Sequence, residues 1–194
     1  MLAVIEKNRM DKKIAILRGI NVGGKRKILM ADLKLLFDDL GFINITTYIQ
    51  SGNVIFNSES KLTDIQITEK IEKAITNKYG FSVPVIVKSA KEIEESIREN
   101  PFYQKQNPDI NKLHLTLLKE QPTNENILKT ESYNYEPDKF VIKGKRVFVF
   151  CNGKYHQSKL TNNFFENKLK VPATTRNWKT VLKLVELSKG NINE

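Results

Sequence analysis

Apolar residues along this chain fall into short continuous runs, or recur at spacings of three and four, and the two habits alternate. Residues 13–17 form a short apolar run of the kind buried in mid-sheet. Leu33, Leu36, Phe37 and Leu40 then line one face of a helix predicted over about 30–40, and Gly41 supplies the left-handed residue that ends it. Residues 43–49 are rich in β-branched side chains, Gln50-Ser51-Gly52-Asn53 is a turn cluster, and Val54-Ile55-Phe56 is strand again, which together predict a hairpin. Ile65, Ile67, Ile71, Ala74, Ile75 and Tyr79 predict a second helix closed by Gly80, and 83–87 a fourth strand with its proline near the start.

The order β-α-β-β-α-β is the split arrangement of ferredoxin-like folds, an antiparallel sheet with helices packed on one face. Residues 90–100, with four glutamates, read as a connecting helix stopped by Asn100-Pro101. After it the pattern restarts: strand 113–118, helix 124–130, strands 139–142 and 146–151 about a Lys143-Gly144-Lys145 turn, helix 160–169, extended 171–176 and a last helix 178–187. The fold class is therefore α+β, with two α/β-plait domains. Residues 1–11 are expected to be a frayed extension or to follow an upstream start codon, 12–100 to be the first domain with its connecting helix, 101–111 a linker, and 112–194 a second domain with an extra helix. The halves share no letter-by-letter repeat.

This topology makes a geometric prediction. If the first strand runs up, its helix returns down and the second strand runs up again. The loop after the first strand and the turn at 50–53 then emerge at one end of the sheet. That loop, Gly19-Ile20-Asn21-Val22-Gly23-Gly24-Lys25-Arg26-Lys27, combines three glycines with an amide and three cations. Such a loop lets an anion or hydrogen-bonding group approach its backbone, or simply permits a tight turn. It satisfies G-x-x-x-x-G-K and then departs from a P-loop, because Arg26 stands where Ser or Thr would hold magnesium. Lys27-Ile28-Leu29 also separate it from the helix, whose amides would otherwise face a phosphate. True nucleotide hydrolysis is therefore disfavoured.

Charge sharpens the picture more than composition does. Of 194 residues, 40% are hydrophobic, which suffices for a packed core. The net charge of +10 is concentrated: between Lys139 and Lys189 stand twelve Lys and Arg against only Glu166 and Glu186. That favours an anionic partner, either nucleic acid or a phosphorylated small molecule, over a bare basic surface only weakly. Apolar runs such as 147–151 are too short for a membrane span, and Leu2 to Ile5 is too brief for a signal-peptide core, so a cytoplasmic protein with no membrane association is expected. The single Cys151, at the end of an apolar strand, reads as a buried, inert thiol.

Metal and nucleophile searches are thin. His114 lies inside an apolar strand and reads as a core residue; His156 has no second ligand near it in sequence. No metal set, cofactor or catalytic residue emerges. Ser51 lacks a strand-to-helix elbow, and Asp38, Asp39, Glu92, Glu94, Glu95 and Glu99 read as solvated helix faces. In Thr174-Thr175-Arg176-Asn177-Trp178 an arginine fork, an amide and the only tryptophan either stack on and bond a base or sugar, or cap and anchor the last helix.

Ala15-Ile16-Leu17-Arg18-Gly19-Ile20-Asn21-Val22-Gly23-Gly24-Lys25, Met30-Ala31-Asp32-Leu33, Leu40-Gly41-Phe42, Thr47-Tyr48-Ile49-Gln50-Ser51-Gly52-Asn53-Val54, Ser158-Lys159-Leu160-Thr161 and Val171-Pro172-Ala173-Thr174-Thr175-Arg176-Asn177-Trp178 closely resemble the bacterial domain-of-unknown-function 1697 family. The resemblance spans nearly the whole chain after Met10 and implies a cytoplasmic bacterial protein of two α/β-plait domains, with no activity, substrate or cofactor attached. Arg26 is a departure, since relatives often carry Asn there.

The residues point to a non-hydrolytic binder of a phosphate-bearing ligand, with nucleic acid preferred. The candidate ligand-binding residues are Arg18, Gly19, Asn21, Gly23, Gly24, Lys25, Gln50, Ser51 and Asn53, with Arg176 and Asn177 from the second half. One alternative is an enzyme for a phosphorylated metabolite, with Arg176 reaching in from the second domain. Another is a structural or partner-binding module. The exposed aromatic pair of an RNA-recognition sheet is missing, since 14–17 and 54–55 are aliphatic.

Overall fold

The computed structural model describes residues 10–103 and 108–190. Its first half runs β1 (Met10–Leu17), α1 (Met30–Asp39), β2 (Ile43–Tyr48), β3 (Asn53–Glu59), α2 (Asp64–Tyr79), β4 (Val85–Ser89) and α3 (Ala90–Glu99). The second half repeats the order with β5 (Leu113–Leu118), α4 (Asn124–Glu131), β6 (Lys139–Lys143), β7 (Arg146–Phe150), α5 (Asn162–Leu169), β8 (Ala173–Asn177) and α6 (Trp178–Lys189). The sheets are ordered β2-β3-β1-β4 and β6-β7-β5-β8, and every pairing is antiparallel. These are two ferredoxin-like units.

Local chemistry sets the ends of the elements. At the start of α2, Gln66 N–H donates to Thr63 Oγ1 at 3.2 Å and Thr63 N–H to Gln66 Oε1 at 2.9 Å, a reciprocal cap. At α4, α5 and α6 the cap is one-way: the side chains of Thr123, Thr161 and Asn177 accept from the N–H of Asn126, Phe164 and Thr180. Gly80 ends α2 at a φ of +74°, and Gly41, at +81°, turns the chain out of α1.

In the first unit Ala15, Leu17, Val54, Phe56, Val85 and Val87 share one core with Leu33, Leu36 and Phe37 of α1 and Ile67, Ile71 and Ile75 of α2. Phe56 meets Phe37 edge-on at 5.2 Å and Phe42 at 4.6 Å. Deleting a ring so placed costs about 3–5 kcal/mol. Ile14, Ile16, Ile55 and Ile86, of opposite pleat, are also buried, which is why β1 reads as an unbroken apolar run. In the second unit Val147, Val149, Leu118 and Ala173 pack with Phe165 and Leu169 of α5.

Several expectations change. Met10 and Asp11 are strand, paired with Glu59 and Ser58, and are not part of a frayed extension; the rest of that segment, 1–9, lies outside the described residues. The division between units falls between Ala90 and Lys91, so α3 goes with the second unit instead of the first domain. There Ile93 and Ser96 are buried, Glu94 pairs with Lys189 at 2.7 Å, and Glu99 pairs with Arg146 at 3.0 Å. Those two glutamates are thus partnered, not merely solvated, and the Lys189 hydrogen bond holds the Glu94 carboxyl below its ordinary range. The presumed linker also contributes packing, since Phe102 lies 6.0 Å from Phe150 and Tyr103 5.3 Å from Trp178; residues 104–107 lie outside the described residues. Finally, β4 runs straight into α3 as β8 runs into α6, so a helix after the fourth strand occurs in both halves.

Candidate functional site

At the end of β1 two backbone bonds fix the chain on either side: Leu17 N–H donates to Gly52 C=O at 2.8 Å, and Arg18 N–H to Pro84 C=O at 2.9 Å. The chain then makes a tight excursion with positive φ at Gly19, Asn21, Gly23, Gly24 and Arg26. Ile20 and Ile28 are almost fully buried and root the excursion in the core, while residues 22–27 are exposed. Inside it, Asn21 N–H donates to Arg26 C=O at 3.2 Å and Lys25 N–H to Val22 C=O at 3.1 Å.

Asn21 is the clamp. Its Nδ2 donates to Ile28 C=O at 2.9 Å and to Gln50 C=O at 2.9 Å, and its Oδ1 accepts from Ile28 N–H at 3.0 Å. One side chain therefore closes the loop and bonds it to the hairpin turn, so the two bends lie side by side. Asn53, fully buried, does the corresponding work in the turn, with Nδ2 donating to Tyr48 C=O and Ser51 Oγ at 3.1 Å each. Gly52 is pressed against β1, where an added Cβ would lie 2.7 Å from Ile20 Cδ1 and 2.8 Å from Leu17 Cβ. The turn also holds Ile49 at a φ of +50°, a conformation that a β-branched residue adopts only under constraint.

Of the first-unit candidates, the structure brings Arg18, Gly19, Asn21, Gly23, Gly24, Lys25, Gln50, Ser51 and Asn53 together at one end of the sheet. Their tasks differ. Asn21 and Asn53 have amides occupied by backbone carbonyls, which makes them builders of the site. Gly23, Gly24, Lys25, Arg26, Lys27 and Gln50 are exposed. Residues 18–27 and 43–58 carry four cations and no carboxylate, while the Glu72 carboxylate of α2 reaches this end of the sheet, where it accepts from Val85 N–H at 2.8 Å. An added Cβ at Gly19 would lie 3.4 Å from Arg26 Nη1, which places that guanidinium over the start of the loop.

The second-unit candidates have different surroundings. Arg176 Nη1 donates to Thr175 C=O at 3.0 Å and to Thr174 Oγ1 at 3.2 Å, and burial lowers its guanidinium to about 10. Asn177 Oδ1 accepts from Thr180 N–H at 2.8 Å and caps α6. Trp178 is fully buried and anchors that helix, which removes it as a stacking platform for a ligand. His114 is buried and stacks on Tyr155 at 4.4 Å. Cys151 is buried and unbridged, and burial pushes its thiol up. Among the described residues no three His, Cys, Asp or Glu gather as metal ligands would.

Two clefts open elsewhere. One, of about 820 Å³, lies between α1 and β2 against Leu35 and Ile45. The other, of about 400 Å³, lies in the second unit against Phe102, Tyr133, Tyr135 and Phe140. Neither includes a residue of the clamped loop or turn. The aromatic group beside the second cleft went unnoticed in the sequence, where 131–138 is a connection between elements; its visible signal is Tyr-x-Tyr followed by an acid-Pro-acid triplet.

Among the described residues no helix is long and apolar enough to cross a membrane. A family model described as protein of unknown function, DUF1697, matches residues 10–148. The fold is similar to that of the conserved bacterial protein SP0830 from Streptococcus pneumoniae, with a TM-score of 0.70 at 25% identity, over 93% of this chain and 99% of that one. No curated protein matches the sequence.

Proposed function

Because the chain belongs to DUF1697, a family of proteins of unknown function, no activity comes with membership, and we propose on physical grounds that it binds a phosphate-bearing ligand without hydrolysing it, with nucleic acid the favoured partner. One observation carries this reading: Asn21 bonds the basic loop to the hairpin turn and thereby presents Lys25, Arg26 and Lys27 on a preformed backbone with no carboxylate in either segment. Preorganised cations on a glycine-rich turn suit phosphate oxygens, because little ordering remains to be done on binding. The missing Ser or Thr after Lys25, and a helix that begins only at Met30, favour holding over hydrolysis. The bacterial cytoplasm is the proposed compartment, which suits a lone, buried, unbridged cysteine.

The test is binding of short single- and double-stranded oligonucleotides to the whole protein across salt concentrations. If Arg18 and the three cations of the loop all meet phosphates, the slope of log affinity on log salt on duplex is about −0.9 per contact, and a Lys25→Ala, Arg26→Ala double variant flattens it by about two contacts. No binding at low salt, or a slope untouched by the double variant, overturns the reading.

A further inference from the structure

The first unit carries an exposed face along α1 and β2 that the loop site does not use. Ala31, Lys34, Leu35 and Asp38 fall at i, i+3, i+4 and i+7 and so form one stripe along α1, and with Ile45 and Thr46 of β2 they line the cleft of about 820 Å³. Leu35 is 58% exposed and Ile43, at the head of β2, 46%, while Ile45 is buried beneath the stripe. Leu33, Leu36 and Phe37, turned the other way, already fill the core of the unit. The stripe is therefore an apolar and charged surplus that the fold itself does not need.

Sheet topology leaves this side open. In the order β2-β3-β1-β4, β2 lies at an edge, paired with β3. The other three outer strands each carry a cation, Lys88 in β4, Lys139 and Lys143 in β6 and Arg176 in β8, and a cation on an edge strand guards against pairing with another chain. β2 carries no charge at all. A bulge between Ile43 and Thr46, with Asn44 at a φ of +54°, leaves Thr46 to Tyr48 as its regular run. So short a run offers another chain little ladder, and a partner must engage this face mainly through the side chains of the cleft.

The charges on the stripe select that partner. Lys34 and Asp38 stand about one turn apart with opposite sign. A uniformly basic partner would face Lys34 with like charge, and a uniformly acidic one Asp38. A second copy, turned about a two-fold axis level with Leu36, runs its α1 antiparallel and sets each Lys34 against the other copy's Asp38, with the two Leu35 side chains beside the axis. We propose that this α1–β2 face is a self-complementary interface through which two copies of the chain associate. The two β2 edges then lie antiparallel to each other, and the two basic loops point to opposite ends of the pair. Association is reversible and weak, because the cleft is small and its ion pairs are exposed. The face contains no residue of the loop or the turn and stands without the loop reading.

The experiment is sedimentation velocity on the nuclease-treated, full-length protein over a concentration series that reaches the submillimolar range. A monomer–dimer equilibrium is expected. Leu35→Asp sets two carboxylates beside the axis and is expected to weaken association about ten-fold or more; the side chain it replaces is exposed, and a melting curve checks that the fold survives. Lys34→Asp and Asp38→Lys each bring like charges face to face, and each alone is expected to weaken self-association by about three- to ten-fold. An equimolar mixture of these two variants is expected to regain it as a heterodimer, because every pair across the axis is then opposite in sign. Damage to the fold would not produce that recovery. A monomer across the whole series overturns the proposal, as does a dimer indifferent to Leu35→Asp, or a mixture that associates no better than its components. Association seen only before nuclease treatment also overturns it and points instead to nucleic acid bridging two loops.

Discussion

Asn21 and Gln50, 29 residues apart, are joined by a 2.9 Å hydrogen bond from the Asn21 side-chain amide to the Gln50 carbonyl. The same side chain closes its own loop through two bonds to Ile28. Its side chain thus reaches both bends, and its φ of +56° is one that Asn tolerates better than other side-chain-bearing residues.

Asn21→Gly keeps the backbone conformation and removes all three bonds. It is expected to lower stability by about 1–3 kcal/mol, the partial exposure of the site holding the figure down, and to weaken oligonucleotide binding while every charge remains. Urea unfolding followed by circular dichroism, paired with anisotropy, checks both. An unchanged midpoint would mean that the bends are held together by something else.

Gly52 and Gly23 both have positive φ, yet only Gly52 is crowded: an added Cβ at Gly23 meets nothing within 4 Å. Gly23→Ala is expected to cost about 1–2 kcal/mol from backbone conformation alone. Gly52→Ala is expected to cost about 1–3 kcal/mol more, because Leu17 and Ile20 must yield. Equal costs in parallel denaturant titrations would contradict the close packing of the turn on β1.

Ile49 is 47% exposed and held at a φ of +50°. Ile49→Asn is expected to raise stability by about 0.5–1 kcal/mol, since Asn adopts this conformation with less strain. A rise in thermal midpoint checks it, and a fall would show that the covered part of the isoleucine outweighs the backbone.

The imidazole of His114 is held below its ordinary 6.5 by burial, opposed in part by a backbone hydrogen bond at Lys112. The folded chain therefore resists a proton that the unfolded chain accepts. Stability is expected to fall as pH drops through 6.5 and to level off only below the native value. His114→Phe preserves a ring to stack on Tyr155 and removes the titration, so its stability should change less than that of the wild type between about pH 7 and 5. Superimposable pH profiles would eliminate His114 as a contributor.

The fold was legible because each element advertises itself locally. Leu33, Leu36 and Phe37 recur at helical spacing, Gly41 and Gly80 mark helix ends, and the order of strands then determines which bends share an end of the sheet. Proximity of the loop and turn followed from that order. What Asn21 and Asn53 do there was not legible, because a bond from residue 21 to residue 50 leaves no trace in any local window. Asn reads equally as a ligand contact or as a turn residue until its partners are known.

Two other features escaped for related reasons. Met10 and Asp11 carry no alternation and became strand through pairing with Ser58 and Glu59 across the sheet. The tyrosines at 133 and 135 belong to a connection, and their packing arises only when Phe164, Lys159 and Lys168 arrive from later in the chain. Arg176 and Trp178 lay in a motif with two readings, and burial of the indole decided one of them.

The membership of α3 bears on synthesis. This helix follows β4 without a gap, so it leaves the ribosome as soon as the first sheet is complete, yet Arg146 and Lys189, which pair with Glu99 and Glu94, are made afterwards, the latter near the very end. At about 5–20 residues per second the helix waits on the order of 5–20 s for its last ion pair. A nascent chain stalled before α6 would thus leave Glu94 without its lysine, and a fragment begun after Pro101 would leave Arg146 without its carboxylate.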